Sequence, residues 1–359
     1  MGYEVNKKLR EMQGYTVEKY DDSVIRMDAN ESPYDLPVRV KAKIAAAIAR
    51  TDFNRYPDPM AEETCKAFAD LHNIPIECIA AGNGSDELIS VIMASFTKKW
   101  DRVLSLLPDF SMYRFYGSIG EIKPILIDKD ENLDFNADDV IEKANEENAK
   151  LIIFSNPCNP TGRGMMYDDV EKIISSVEAL VVVDEAYMDF WDQSVLSLIN
   201  KYDNLIVLKT MSKAIGLASI RLGFAVANEN LTGYIKKAKS PYNVNTVTQK
   251  IGAIVLNEWA VICERIEKII NGRDCLYANF TERAEKCGYR IQKTYTNFVL
   301  LEFNNAENAR FVFETLKKNG IAVRHMDNKL RITAGTNYQN EKLLEEFDSI
   351  FTEAGVGNV

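Results

Sequence analysis

The sequence predicts an α/β fold: a large domain around a mostly parallel central sheet, followed by a smaller α+β domain. Three observations carry this expectation. Short apolar runs are rich in Val, Ile and Leu throughout, without alternation, as in strands covered on both faces. Between residues 78 and 227 these runs alternate with helix-patterned segments, the order that parallel pairing requires. From about residue 244 the order changes to long helical stretches, then strands and helices in separate runs.

Residues 1–48 read as an arm that packs with the small domain. The large domain is expected over 49–269. Its strand candidates are "CIAAG" (78–82), "RVLSLL" (102–107), "IKPILI" (122–127), "LIIFSNP" (151–157), "LVVVDEAY" (180–187), "LIVLK" (205–209) and "GFAVA" (223–227). Segments such as "SDELISVIMASF" and "YDDVEKIISSVEA" place apolar residues at helical spacing between them. A long helical pattern runs from about 244 to 271, and a further helix is expected after Gly272. The small domain, 270–359, continues with "NFVLLEF", a helix in "AENARFVFETLKKNG", the strands "IAVRHM" and "LRITAG", and a last helix in "NEKLLEEFDSIFTEAG".

Composition excludes several classes. The 359 residues carry 53 acids against 43 Lys and Arg, a net charge of −10, which disfavours nucleic acid as a partner. No apolar run approaches the roughly 20 residues of a membrane helix. The opening "MGYEVNKKLREMQGY" is charged and lacks the apolar core of a signal peptide. Six scattered cysteines without a CxxC pair read as reduced thiols of a cytoplasmic protein. Only His72 and His325 are present, so neither a histidine-rich metal site nor histidine acid–base chemistry is expected, and no metal is expected.

Four polar clusters fall at strand ends: "GNGSDE" (82–87), "NPCNPTG" (156–162), "DEAY" (184–187) and "TMSK" (210–213). In open α/β sheets ligands sit beyond the carboxyl ends of the strands, so these clusters are expected to converge. "GNGSDE" opens a helix, where free amides can meet an anion. Alone it reads more readily as a capping turn. It is neither a P-loop nor a dinucleotide fingerprint, because Glu87 takes the third glycine position. With the hydroxyls of Thr210 and Ser212 and the guanidinium of Arg221 it suits a phosphate group.

Lys213 follows a buried-type strand directly and has Arg221 eight residues on. A desolvated lysine beside another cation loses its proton readily and becomes an amine nucleophile. A nucleophilic amine near a phosphate site points to a phosphorylated aldehyde, pyridoxal 5′-phosphate. That cofactor needs a carboxylate facing its ring nitrogen, and Asp184 ends an apolar strand. Asn159 and Tyr187 could serve its phenolic oxygen, and Phe110 could stack on its ring.

The motifs "SNPCNPTG", "VVVDEAY" and "TMSKAIGLASIRLGF" resemble the fold type I pyridoxal-phosphate aminotransferases of classes I and II. The likeness spans nearly the whole chain. "MDANESPYDLP", "RYPDP", "GNGSDELI", "SPYNVN" and "VRHMDNKLRITAGT" resemble the histidinol-phosphate aminotransferase branch of that family. The resemblance implies that Lys213 carries the cofactor and moves the proton, while Asp184 pairs with the ring nitrogen. It implies that the backbone at Ser85 and Asp86, with Thr210, Ser212 and Arg221, binds the phosphate. Tyr56 would reach that phosphate from a partner subunit, making the unit a homodimer. Arg331 would hold an anionic group of the substrate, assisted by Arg324, Tyr15 and Asn30. The implied reaction is a ping-pong transamination between histidinol phosphate and 2-oxoglutarate, in histidine biosynthesis. Rival readings are an aromatic-amino-acid aminotransferase, a threonine-phosphate decarboxylase, and a silent binding protein on the same fold. Three positions depart from the family pattern: Phe110 replaces a common tyrosine, His325 a frequent proline, and "YDLP" a more usual "YGP". His325 and "YDLP" are expected near the substrate. Lys209 has no assignable role.

Overall fold

The computed structural model describes residues 2–12 and 19–353. Its larger sheet has seven strands in the spatial order Ile79–Gly82, Gly223–Ala227, Leu205–Thr210, Leu180–Asp184, Leu151–Ser155, Arg102–Leu107 and Lys123–Asp128. The last five run parallel to one another. Gly223–Ala227 runs antiparallel to both neighbours. The central strands are buried on both faces: Val181, Val182 and Val183 are all inaccessible, as are Leu205 to Leu208. This is why their sequence does not alternate. At the sheet edge the pattern loosens, and Pro124 is tolerated because one side of an edge strand needs no donor.

Parallel pairing brings carboxyl ends to one rim. Ser155 and Asp184 lie in register, and Thr210 ends the next strand. The helix Ser85–Phe96 starts at the same level and buries Leu88, Ile89, Ile92 and Met93 against the sheet.

A second, antiparallel sheet is ordered Arg324–Met326, Lys329–Thr333, Phe298–Phe303 and Tyr289–Ile291. The helices Ala306–Lys318 and Asn337–Glu353 pack on it over a core that includes Leu276, Phe280, Val299, Leu330 and Phe347. The run "IAVRHM", expected as one strand, is divided. Ile321–Ala322 pairs in parallel with Ile25–Arg26 from the N-terminal stretch, and Arg324–Met326 forms a hairpin with Lys329–Thr333. Met27 follows into this core, and its carbonyl accepts from the Thr333 N–H at 2.9 Å.

The helical pattern after 244 also breaks elsewhere than expected. The interruption falls at Asn257–Glu258, between Thr246–Leu256 and the 29-residue helix Trp259–Cys287. Gly272 lies inside that helix. It is small because the turn at 335–340 crosses there: a Cβ would lie 3.2 Å from Asn340 Nδ2 and 3.3 Å from the Gly335 carbonyl. The helix ends at Gly288, whose φ of 64° suits a left-handed cap. Its first half buries Ile262, Ile266 and Ile269 under the large sheet, and its second half buries Leu276 and Phe280 in the other core. The expected boundary at 269/270 thus falls within one helix, where its buried face changes core. Among the described residues, no helix is long and apolar enough to cross a membrane.

Candidate active site

The rim collects most of the residues singled out in the sequence. At one corner the helix Ser85–Phe96 begins at Gly84, which provides no side-chain cap for its first amides. Gly84 has φ +85°, and a Cβ there would lie 2.9 Å from Arg221 Nη2. The glycine therefore lets a guanidinium lie against the positive end of the helix. Arg221 itself adopts φ 52°. Its Nη1 lies 3.5 Å from Ser212 Oγ, and the Thr210 hydroxyl donates to Ser212 Oγ at 3.1 Å. Amides, hydroxyls and a guanidinium with no acid among them form a cradle for a phosphate dianion. The Asp86 carboxylate is engaged on one side: Oδ2 accepts from Tyr116 at 3.0 Å, while its buried Oδ1 has no hydrogen-bond partner among the described residues.

Lys213 sits between this corner and the second sheet. Its Nζ donates to the Ala29 carbonyl at 3.3 Å and lies 5.9 Å from the centre of the Tyr187 ring. Burial, reinforced by the Arg331 cation, lowers its pKa to about 8. Roughly a tenth is therefore free amine at pH 7, far more than for an ordinary lysine. Asp184, 4% exposed, ends its strand below. Burial raises its pKa to about 6, opposed by the Tyr113 hydroxyl, which donates to Oδ2 at 2.8 Å. The Ala186 N–H donates to Oδ1 at 3.1 Å. A carboxylate held this dry favours a cationic N–H as its partner.

Opposite, Tyr187 accepts a hydrogen bond from Asn30 Nδ2 at 2.7 Å, so its own proton remains available to donate. Burial raises its pKa to about 12, which keeps that proton in place. Asn30 is 1% exposed, has φ 55°, and is fixed by Thr333 and Asn297. Arg331 donates through Nη1 to Asn159 Oδ1 and through Nη2 to the Asp28 carbonyl at 2.8 Å. Arg324 lies directly opposite Arg331 in the hairpin. Two cations facing each other across a strand pair repel, an arrangement that suits an anion between them. Phe110 lies at the same rim, edge-on to Tyr113 at 5.6 Å.

These groups fit pyridoxal phosphate: an amine for the aldehyde, a dry carboxylate for the ring nitrogen, donors for the phenolic oxygen and a cradle for the phosphate. Ser85, Asp86, Phe110, Asn159, Asp184, Tyr187, Thr210, Ser212, Lys213, Arg221, Asn30 and Arg331 come together, with Arg324 at the margin. Tyr15 lies outside the described residues. Tyr56 is 81% exposed and stacks on Tyr242 with ring centres 4.6 Å apart. His325 is not beside Arg331. It lies opposite Leu330, a core residue, and its ring stacks on Phe313 at 5.1 Å. The period of two along the strand turns it to the other face. Lys209 acquires a structural role, because it is 4% exposed with Nζ 2.8 Å from Asp189 and 3.6 Å from Glu185.

Tyr113 and Lys129 join the site through contacts that local sequence does not signal. Tyr113 stands three residues beyond Phe110 and touches Asp184, a contact that "PDFSMY" does not reveal. Lys129 donates to Pro108 O at 3.0 Å and lies 2.8 Å from Cys158 Sγ, joining segments 29 residues apart.

The family described as aminotransferase class I and II matches residues 22–347. Among curated proteins, the histidinol-phosphate aminotransferase of Clostridium novyi is 43% identical over 345 residues, covering 94% of each chain. That of Clostridium kluyveri is 40% identical over 349 residues, covering 96% of this chain and 97% of its own. Among solved structures, histidinol-phosphate aminotransferase from Sinorhizobium meliloti in complex with pyridoxal-5′-phosphate superposes with a TM-score of 0.88 at 20% identity over 98% of both chains, a likeness of fold.

Proposed function

The chain belongs to the class I and II aminotransferases, and from that premise we propose that it exchanges the amino group of histidinol phosphate with 2-oxoglutarate, in histidine biosynthesis, using pyridoxal phosphate. The observation that carries the reading is Lys213, a half-buried amine with a pKa near 8, within reach of the charges of Asp184, Arg221 and Arg331, with Arg324 opposite Arg331 in the hairpin. The unit is read as a homodimer in the cytoplasm, with the arm at 1–48, the cofactor domain at 49–269 and the small domain at 270–359.

Pyridoxal phosphate, when bound, supplies an aldehyde and a ring that accepts the electron pair of the substrate's Cα–H bond. The protein supplies the rest. Lys213 would hold the aldehyde and, once freed, would serve as the general base and acid that moves the substrate Cα proton. Asp184 holds a proton on the ring nitrogen. Asn159 and Tyr187 orient the phenolic oxygen. The Ser85 and Asp86 amides, Thr210, Ser212 and Arg221 anchor the phosphate, with Tyr56 from the partner. Phe110 would offer an aromatic face to the ring. Arg331, with Arg324, Asn30 and Tyr15, receives the substrate phosphate or the dicarboxylate, since a guanidinium fork suits both.

Because only the free amine attacks an aldehyde, the rate of cofactor uptake by the apo-protein rises with pH through about 8 and then levels. Arg331→Met removes a cation that disfavours the charged lysine, so the midpoint moves up. Stopped-flow absorbance measures both, and an unmoved midpoint would separate Arg331 from Lys213.

Arg331→Ala is expected to raise KM for histidinol phosphate by about 100-fold, the loss of one charge-assisted contact to a phosphate. The visible spectrum of the bound cofactor should stay in place. If the spectrum collapses and KM does not move, Arg331 serves the cofactor and the substrate reading fails.

A further inference from the structure

We propose that Lys239 and Asn243 form a brace that ties the cofactor-phosphate turn of one subunit to the Tyr56 turn it extends to its partner. The inference rests on the dimer reading above and assigns a purpose to "SPYNVN" (240–245), which no part of the mechanism uses.

Lys239 is 7% exposed, and among the described residues its ammonium is given to a carbonyl and an amide oxygen. Nζ donates to the Pro59 carbonyl at 2.7 Å and to Asn243 Oδ1 at 2.9 Å. Asn243 turns its amide the other way and donates to Glu87 Oε2 at 2.8 Å. The same oxygen accepts the Asn83 N–H at 2.6 Å. Asn83 and Glu87 flank Gly84 and Ser85, the start of the phosphate-binding helix. Pro59 closes the "RYPDP" turn, and Tyr242, in the same segment, stacks on Tyr56.

A buried ammonium given to neutral carbonyls is costly unless something compensates. Here the Asn243 amide relays it to Glu87, and Asp58 of the same turn as Pro59 adds a second negative charge, so the ammonium is compensated while these residues keep their places. Moving the Tyr56 turn therefore strains the helix start, and the reverse holds too. A hydrogen-bonded chain with a charge at each end is stiffer than the loops it joins. Tyr56, exposed on its own subunit, is held ready for a phosphate that is not its own. Lys239 and Asn243 are positioning residues in this scheme.

The test uses mixed dimers in which one subunit carries Lys213→Ala, so that visible colour reports cofactor only in the other. Lys239→Met is placed on the Lys213→Ala subunit, in trans to the coloured site. Cofactor affinity, read by absorbance titration, is expected to fall about tenfold, the loss of one hydrogen bond to a charged group. Tyr56→Phe on the same subunit should give a similar loss, and Asn243→Ala provides the same measurement should Lys239→Met not fold. If Tyr56→Phe weakens the trans site and neither brace variant does, the brace is overturned. If Tyr56→Phe has no effect in trans, or the protein sediments as a monomer with undiminished affinity, the dimer reading fails and the brace with it.

Discussion

Lys213→Ala is expected to abolish the visible absorbance of the bound cofactor and to lower kcat by at least about 10⁴-fold, the upper range of what a positioned acid–base group contributes. The two losses have one origin. The visible band requires a bond to the amine, and turnover requires the same amine to move a proton between two carbons. No nearby group can substitute. Asp184 is engaged by Tyr113 and the Ala186 amide, and Tyr187 keeps its proton to about pH 12. The phosphate cradle does not depend on Lys213, so cofactor should still bind without colour, detectable by quenching of protein fluorescence. A Lys213→Ala protein that still transaminates would remove this residue from the mechanism.

Asp184→Asn is expected to lower kcat by about 10²–10³-fold, typical of losing one preorganised electrostatic partner, and to stabilise the apo-protein. The sign follows from burial. The folded pKa is about 6, against an ordinary value of 3.8. The folded state thus binds this proton more tightly than the unfolded state. Its contribution is favourable below about pH 3.8 and is lost as pH rises through 6, so the ionised group is a cost at neutral pH. Two units at 1.36 kcal/mol each put that cost at roughly 2–3 kcal/mol. Asparagine avoids it and can still accept from the Tyr113 hydroxyl. Thermal denaturation of the apo-proteins should show the variant ahead by a few degrees at pH 7.5 and level with wild type near pH 4. Equal stability at both pH values would mean that Asp184 is not the strained group described here.

The legible parts of the molecule were those written in local pattern. Uniformly apolar runs gave the sheet because strands buried on both faces have no polar face to alternate, as at 181–183 and 205–208. Polar residues at strand ends gave the rim, because parallel pairing leaves them no other edge. Contacts set by tertiary approach were not legible. Gly272 looked like a helix end, and only the crossing turn at 335–340 explains it. "IAVRHM" looked like one strand, and its division depends on Ile25–Arg26, some 300 residues earlier. His325 looked like a substrate neighbour because of its sequence position beside Arg324, yet adjacent residues on a strand face opposite ways. Tyr113 was passed over because its contact with Asp184 spans 71 positions.

The measurement closest to the central claim is a half-reaction screen. The holoenzyme is mixed in turn with histidinol phosphate, phenylalanine, tyrosine and threonine phosphate, and loss of the visible band is followed with keto product and carbon dioxide. With Arg324 and Arg331 facing each other in the hairpin, histidinol phosphate is expected to bleach the band at the lowest concentration, with one keto product per site and no carbon dioxide. Carbon dioxide release from threonine phosphate, or faster bleaching by phenylalanine or tyrosine, would contradict the assignment.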